Sequence, residues 1–166
     1  ILYKLYCMNI FKKENFISKK DCDSLINFHK NNFNLNNKFS KKHYDTEVLL
    51  IYDMQNTSLF KKINNLLNNF IKTHNEKYKI NYFELVKWFT GSDQKEHVDL
   101  DYHPYTSIIY LNNNYIGGET VVANKVINPK KGKLISFKGN EIFHKVNKVT
   151  KGIRYTLPCW YAHESN

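Results

Sequence analysis

The sequence has few of the residues that cross-link or interrupt small folds. Its 166 residues include three cysteines without a CxxC spacing, so a disulfide scaffold is excluded and a reduced compartment is the simpler interpretation. With six glycines and three prolines, it also has no Gly/Ser-rich or Pro-rich linker. A chain of this length can bury roughly 70% of its unfolded surface without a structural metal. We therefore expect a single domain over residues 1–166.

Long apolar runs are also missing. The longest, at residues 48–52, has the length of a β-strand, whereas a membrane-spanning helix needs about 20 apolar residues. The first eleven residues lack the apolar core and cleavage site of a signal peptide. We therefore expect no membrane partner and a cytoplasmic location.

Arginine is nearly absent. The chain has 25 basic and 15 acidic residues and a net charge of +10, but 24 of the basic residues are lysine and only Arg154 is arginine. A basic chain can bind nucleic acid, but the abundance of lysine, asparagine, isoleucine and tyrosine is typical of an AT-rich coding sequence. A nucleic-acid partner is therefore not expected. Arg154 indicates a need for the planar fork that pairs with a carboxylate or phosphate.

Two helical patterns occupy the first half of the chain. Ser18 and Asp21 have the spacing of a capping box, with aspartate in place of the usual glutamate, and a second helix is predicted after Thr57. The apolar faces comprise Cys22, Leu25, Ile26 and His29 in the first helix and Ile63, Leu66, Leu67, Phe70, Ile71 and His74 in the second. We expect residues 1–79 to be mainly helical support, with a polar loop at residues 31–42.

From residue 80 the pattern changes to short strands separated by turn residues. The predicted strands are residues 82–89, 106–111, 120–123, 133–137, 142–146 and 153–161. Many short strands at this spacing indicate a barrel or jelly roll. Because the helices precede the strands, the expected class is α+β, with helices supporting one sheet of a core over residues 80–162.

The candidate metal ligands lie in this strand-rich half. His97 and Asp99 form an H-x-D pair, which alternation along a strand would place on one face. His144 follows 47 residues later, and Arg154 ten residues after that. Two imidazoles and a carboxylate form the facial triad of non-haem Fe(II) oxygenases. H-x-D alone is common by chance, but the order of the later residues strengthens the interpretation. A cupin site would instead have H-x-H.

Five segments, in order, carry a resemblance to a known family. They are H-x-D at residues 97–99, Y-L-N at 110–112, G-G-E-T at 117–120, P-x-x-G-x-x-x-x-F at 129–137 and G-x-R-x-T-x-x-x-W at 152–160. The stretch from residue 82 to residue 161 resembles the 2-oxoglutarate- and Fe(II)-dependent oxygenase superfamily. Within it, the prolyl 4-hydroxylase-like branch fits best.

The resemblance implies a double-stranded β-helix, or distorted jelly roll, of about eight strands, buttressed by the N-terminal helices. It implies His97, Asp99 and His144 as the iron ligands and catalytic centre. Arg154 would pair with the distal carboxylate of 2-oxoglutarate, and Tyr110 would donate a hydrogen bond to the same carboxylate.

Strand alternation adds two residues to this expected pocket. Thr156 and Trp160 share a face with Arg154 on the last predicted strand. Thr156 could add a hydroxyl to the 2-oxoglutarate pocket, and Trp160 could wall the iron site. Packing inside a barrel explains both residues equally well.

Three features depart from the simplest pattern. The family strand before H-x-D often ends in a tyrosine that helps to hold 2-oxoglutarate, whereas this chain has Trp88 and Phe89. Pro158 removes a hydrogen-bond donor from the last strand and predicts a bulge or an edge position. Asp101 and His103 follow the triad closely, and we interpret them as solvated loop residues rather than as part of the substrate entrance.

The resemblance implies a dioxygenase that uses Fe(II), 2-oxoglutarate and dioxygen, with ascorbate as an optional further cofactor, to hydroxylate an unactivated C–H bond. Succinate and carbon dioxide would be the co-products. The branch favours a prolyl residue in a peptide or protein as the substrate.

Other functions remain as alternatives. They are hydroxylation of a free amino acid or other small molecule, and a non-catalytic jelly-roll binding module, which the complete ligand set with Arg154 disfavours. Nucleic-acid dealkylation of the AlkB type is disfavoured because its signature carries two arginines. Residues 38–47 and 92–96 are the candidate segments to close over a substrate. The sequence does not predict an oligomeric state.

Overall fold

The computed structural model describes residues 10–36, 38–43, 45–51 and 57–164. In chain order the elements are β1 (Phe11–Lys13), α1 (Lys19–Asn32), β2 (Ser40–His43), β3 (Thr46–Ile51), α2 (Ser58–Lys72), β4 (Tyr78–Trp88), β5 (Gln94–His97), β6 (Tyr105–Tyr110), β7 (Ile116–Gly117), β8 (Thr120–Val122), β9 (Lys125–Ile127), β10 (Leu134–Phe137), β11 (His144–Val146), β12 (Val149–Lys151) and β13 (Arg154–His163). Each strand run that the sequence predicts after residue 80 overlaps a strand of the structure.

Both helices begin where the sequence predicts. The Ser18 side chain accepts a hydrogen bond from the Asp21 backbone N–H at 3.0 Å, and the Asp21 carboxylate accepts one from the Ser18 backbone N–H at 3.3 Å. The capping box is thus confirmed. Helix α2 begins at Thr57, whose hydroxyl accepts from the backbone N–H of Phe60 at 3.4 Å.

Antiparallel strands form three sheets. The first has seven strands in the order β1-β10-β6-β13-β4-β3-β2, the second has four in the order β5-β11-β8-β9, and β12 pairs with β7 in a two-stranded ladder. These sheets surround a common interior in the arrangement of a double-stranded β-helix, which is the predicted fold.

The seven-stranded sheet has one face against the helices and one face against a cavity. On β13 and β4, the odd-numbered residues Leu157 and Phe83 pack in the same apolar cluster as Ile63 and Leu67 of α2. The even-numbered residues of the same strands line the cavity, among them Trp160. The period of two along each strand therefore separates the supporting core from the site.

The N-terminal region holds more strand than the sequence predicts. Strands β2 and β3 pair with each other, and β3 pairs with β4, so they extend the large sheet. Residues 40–42, which the sequence predicts to be loop, lie in β2. Its sequence, Ser-Lys-Lys-His, has no apolar residue to mark a strand. The expected lid segment at residues 38–47 is accordingly largely a paired hairpin.

Pro158 lies in the middle of the sheet rather than at an edge. Strand β13 pairs with β6 on one side and β4 on the other, so the edge prediction is wrong. A register shift does occur on this strand, but between Trp160 and Tyr161. The proline side chain faces the cavity.

The described residues can be compared with two expectations from the sequence, which concern disulfides and membrane-spanning helices. Cys22 and Cys159 are buried free thiols, while Cys7 lies outside the described residues. In the described ranges, neither helix has the length and apolarity that crossing a membrane requires.

Candidate active site

The three predicted metal ligands meet at one end of the small sheet. His97 of β5 and His144 of β11 are direct partners across the two strands. Asp99 Oδ1 lies 3.8 Å from His97 Nε2 and 3.6 Å from His144 Nε2. The ligand atoms of all three residues lie within 4.8 Å of one another. This spacing lets one ion contact all three side chains.

The Nδ1 nitrogens of both imidazoles form hydrogen bonds with backbone carbonyls. His97 Nδ1 lies 2.8 Å from the carbonyl oxygen of Lys95, and His144 Nδ1 lies 2.9 Å from that of Ile142. A carbonyl only accepts hydrogen bonds, so each Nδ1 carries the hydrogen. In this tautomer each Nε2 carries the lone pair that a metal ligand requires.

Asp99 is positioned by contacts rather than by strand alternation. The sequence predicts that His97 and Asp99 lie on one strand. This prediction is wrong, because strand β5 ends at His97. The Asp99 N–H instead donates to the carbonyl of Gly139 at 2.9 Å, and the Thr106 hydroxyl donates to Oδ2. Burial tends to raise the pKa of the Asp99 carboxyl, but His144, Thr106 and Trp160 outweigh it, and the net pKa is lowered. The carboxylate is therefore ionised at neutral pH.

Gly139 gives the Asp99 carboxylate its space. A Cβ atom at this position would collide with Asp99 Oδ2 and Thr106 Oγ1 and would lie 3.1 Å from Asp99 Cγ. A glycine is therefore needed here for close approach rather than for an unusual backbone angle.

Arg154 is a buried cation with unused hydrogen-bond donors. Its side chain is almost fully buried, and Nη2 donates to the Thr120 hydroxyl at 3.1 Å. Within the described part of the chain, Nε and Nη1 have no hydrogen-bond partner. The guanidinium carbon lies 4.7 Å from the centroid of the Trp88 ring, a contact that offsets only part of the cost of burial. A carboxylate would satisfy the open donors.

Tyr110 supplies a further donor beside Arg154. Its side chain is fully buried, and its ring centroid lies 5.9 Å from the guanidinium carbon of Arg154. Its hydroxyl has no hydrogen-bond partner among the residues that the structure describes. Burial raises the pKa of Tyr110 to about 12. The phenol therefore keeps its proton at neutral pH and can donate to an anion.

Thr156, Trp160 and Trp88 complete the walls. Thr156 and Trp160 line the cavity together with Arg154. The Thr156 hydroxyl accepts from Trp88 Nε1 at 3.1 Å. Trp160 stacks on Tyr82 with ring centroids 4.8 Å apart. Trp88 thus covers the guanidinium and orients Thr156.

Sequence reasoning missed several residues of the site. The Thr120 hydroxyl accepts a hydrogen bond from Arg154, and the Thr106 hydroxyl donates one to Asp99. The Tyr115 hydroxyl is also buried and has no hydrogen-bond partner among the described residues. Thr120 belongs to the G-G-E-T motif at residues 117–120, which does not by itself indicate a contact with Arg154. Its role depends on the pairing of β8 with β11, which no local pattern predicts.

His103 differs from its prediction as a solvated loop residue. It is 2% exposed. One of its ring nitrogens, Nε2, lies 2.8 Å from the side-chain amide of Asn81, and its ring packs against Tyr82 and Trp160. Asp101, in contrast, is exposed, as predicted.

The predicted metal ligands and the buried arginine share one cavity of about 210 Å³. Two imidazoles and a carboxylate fit Fe(II) with positions left open, and the open donors of Arg154 and Tyr110 fit a carboxylate. A double-stranded β-helix with this combination defines the class of non-haem Fe(II) oxygenases.

Comparison with protein families agrees with this class. The model of the 2OG-Fe(II) oxygenase superfamily matches residues 28–162. The chain therefore belongs to the 2OG-Fe(II) oxygenase superfamily.

Several of the similar proteins are prolyl hydroxylases. Over 78 residues the chain is 36% identical to human prolyl 3-hydroxylase 2, a match that covers 41% of this chain and 11% of that protein. The structure is similar to that of a prolyl-4-hydroxylase from Pseudomonas putida (TM-score 0.78, 15% identity, 97% and 96% of the two chains).

Two further solved structures have the same fold. One is the viral collagen prolyl hydroxylase from Paramecium bursaria Chlorella virus-1 in complex with 2-oxoglutarate (TM-score 0.76, 20% identity, 94% and 96% of the two chains). The other is a Trichoplax adhaerens prolyl hydroxylase in complex with a peptide from a hypoxia-inducible factor (TM-score 0.75, 18% identity, 96% and 86%).

Proposed function

We propose that the protein is an Fe(II)- and 2-oxoglutarate-dependent dioxygenase that hydroxylates a prolyl residue in a peptide or protein, with succinate and carbon dioxide as co-products. The observation that carries this proposal is the single cavity that joins the His97, Asp99 and His144 cluster to a buried arginine with open donors.

Each residue of the site has a role in this proposal. His97, Asp99 and His144 would hold Fe(II), and Arg154 and Tyr110 would bind the distal carboxylate of 2-oxoglutarate. When bound, the iron activates dioxygen and supplies the oxidation of the C–H bond. The chain itself holds and orients the reactants and excludes water. Ascorbate, as a reductant of the iron, stays a prediction.

Thr156 and Trp160 would shape the space between the iron and 2-oxoglutarate. The Thr156 hydroxyl already accepts a hydrogen bond from Trp88, so its own hydrogen is available to an acceptor in the cavity. Trp160 lies beside Asp99, and its effect on the pKa of that carboxyl reflects this closeness. Trp160 would therefore form the wall next to the iron.

Two observations support a prolyl substrate. The similar proteins reported above are prolyl hydroxylases. In addition, the cavity carries the rings of Tyr82 and Trp160, and the ring of His103 packs beside them. Aromatic walls of this kind bind the compact apolar ring of proline in other recognition grooves.

Mass spectrometry tests the proposal. Proline-containing peptides would be incubated with the protein, Fe(II), 2-oxoglutarate and dioxygen, and we expect the gain of one oxygen atom on proline with an equal amount of succinate. His97→Ala, which removes a ligand, should give no product. Succinate formation without oxygen on any peptide would contradict a prolyl substrate, and the absence of both would contradict the enzyme assignment.

A further inference from the structure

The cavity continues away from the iron ligands across strands β4, β3 and β2. Strand alternation places Tyr82, Glu84 and Val86 of β4 on its wall, and the side chain of Lys41 on β2 reaches Glu84 across β3. Glu84 and Lys41 have no part in holding iron or 2-oxoglutarate in the proposed function. They are the charged groups of the cavity for which a role is still open.

Glu84 and Lys41 form an asymmetric ion pair. Lys41 Nζ lies 3.2 Å from Glu84 Oε1. The Glu84 side chain is 9% exposed, whereas the Lys41 side chain is 48% exposed. The carboxylate is thus fixed in the wall, and the ammonium reaches it from solvent at the edge of the sheet.

A buried carboxylate in a cavity is costly unless a cation faces it. Burial raises the pKa of Glu84, and Lys41 only partly offsets this effect. An exposed lysine on an edge strand is a flexible partner that gains little from such a pair. A cationic group on a bound substrate could therefore replace Lys41 as the ion-pair partner of the buried Glu84 carboxylate.

We propose that Glu84 is a specificity-determining residue that binds a cationic group of the substrate, in exchange for Lys41. This inference rests on the proposed function, because it places the cationic group on the same molecule as the target proline. The ammonium or guanidinium could come from a lysine or arginine side chain near that proline or from the N-terminus of the peptide. The net charge of +10 would not attract such a substrate, so recognition must be local.

Binding can be measured without turnover on protein loaded with Mn(II) and N-oxalylglycine in place of Fe(II) and 2-oxoglutarate. The probes are blocked peptides with one proline and, on one side of it or the other, either lysine or norleucine, which has the same carbon chain without the ammonium group. We expect the wild type to prefer lysine at one of these two positions. There it should bind the lysine peptide about tenfold more tightly than the norleucine peptide. Glu84→Gln should remove this preference.

Lys41→Met separates recognition from a structural role. If Lys41 competes with the substrate cation, its removal should strengthen lysine-peptide binding several-fold. Lys42→Met is the matched control, because Lys42 is the next residue of β2 and points to the other face of the sheet. A wild type that prefers neither the lysine peptides nor a free N-terminus, a preference that survives Glu84→Gln, or weaker binding in Lys41→Met would overturn the inference.

Two further arms complete the experiment. Norleucine peptides with a free N-terminus test the other source of the cation, and a preference for them that is lost in Glu84→Gln would support the site and assign it to the α-ammonium. Turnover is assayed separately. A Glu84-dependent preference in peptides that gain no oxygen would contradict the proposed function while leaving the cation site in place.

Discussion

Gly139 supports the candidate metal site because it lacks a side chain. Its carbonyl accepts from the Asp99 N–H, and a Cβ atom would meet the carboxylate. We expect Gly139→Ala to weaken Mn(II) binding by about tenfold or more, since displaced partners of metal ligands have effects of this size. Titration followed by electron paramagnetic resonance measures the affinity.

Gly91→Ala is the matched control. An added Cβ at Gly91 meets nothing within 4 Å, but its φ of 98° is unfavourable for alanine. This variant should lose stability and keep its metal affinity. Equal Mn(II) affinity in Gly139→Ala and the wild type would show that Asp99 does not ligate the metal as described.

Arg154 tests the site for the distal carboxylate. Arg154→Lys keeps the charge but loses the planar fork and the contact with Trp88. We expect 2-oxoglutarate to bind about tenfold or more weakly to the Mn(II) form. Calorimetry measures the change, with the exposed Lys151→Arg as control. Unchanged affinity in Arg154→Lys would refute the anchor assignment.

At the scale of elements, the sequence predicts those that follow a local rule. The helix caps, the apolar stripe of α2 and the apolar strands of the second half are all recognisable from spacing. Strand β2 is not, because a polar edge strand has no apolar residue to reveal it. Asp99 likewise owes its position to a distant glycine and threonine rather than to its own strand. The members of the His97, Asp99 and His144 cluster could therefore be predicted, but their supporting contacts could not.

Helix α2 supports the sheet from the face opposite the cavity. Ile63 is fully buried against that face. We expect Ile63→Ala to lower the free energy of unfolding by about 2–5 kcal/mol, as for other truncations in a core. Urea denaturation measures the change, with the exposed Lys61→Ala as control. The folded fraction should still bind 2-oxoglutarate normally; a loss no larger than that of the control would contradict the described packing.

At the scale of the whole molecule, buried histidines should make stability depend on pH. His29 and His103 are buried, and burial lowers the pKa of both. As pH falls from neutral through the ordinary histidine pKa near 6.5, the unfolded chain gains these protons before the folded chain does. Stability is therefore present above this window and lost as pH falls toward the lowered pKa values.

We expect the free energy of unfolding to fall by on the order of 1 kcal/mol per buried histidine between pH 7 and pH 5. Urea denaturation with EDTA present measures the change without a contribution from metal. Glu84, whose pKa is raised by burial, opposes the trend at the acidic end. His29→Leu should reduce the slope, whereas the exposed His163→Gln should not. An identical slope in His29→Leu would contradict the assigned cause.

The joint site for Fe(II) and 2-oxoglutarate is tested by an anaerobic titration of both into the protein. The visible charge-transfer band of the iron chelate reports their binding to each other at the site. We predict a saturable band in the wild type and none in His144→Ala. A folded wild-type protein that gives no band and stays free of metal would contradict the oxygenase assignment and favour a non-catalytic binding module.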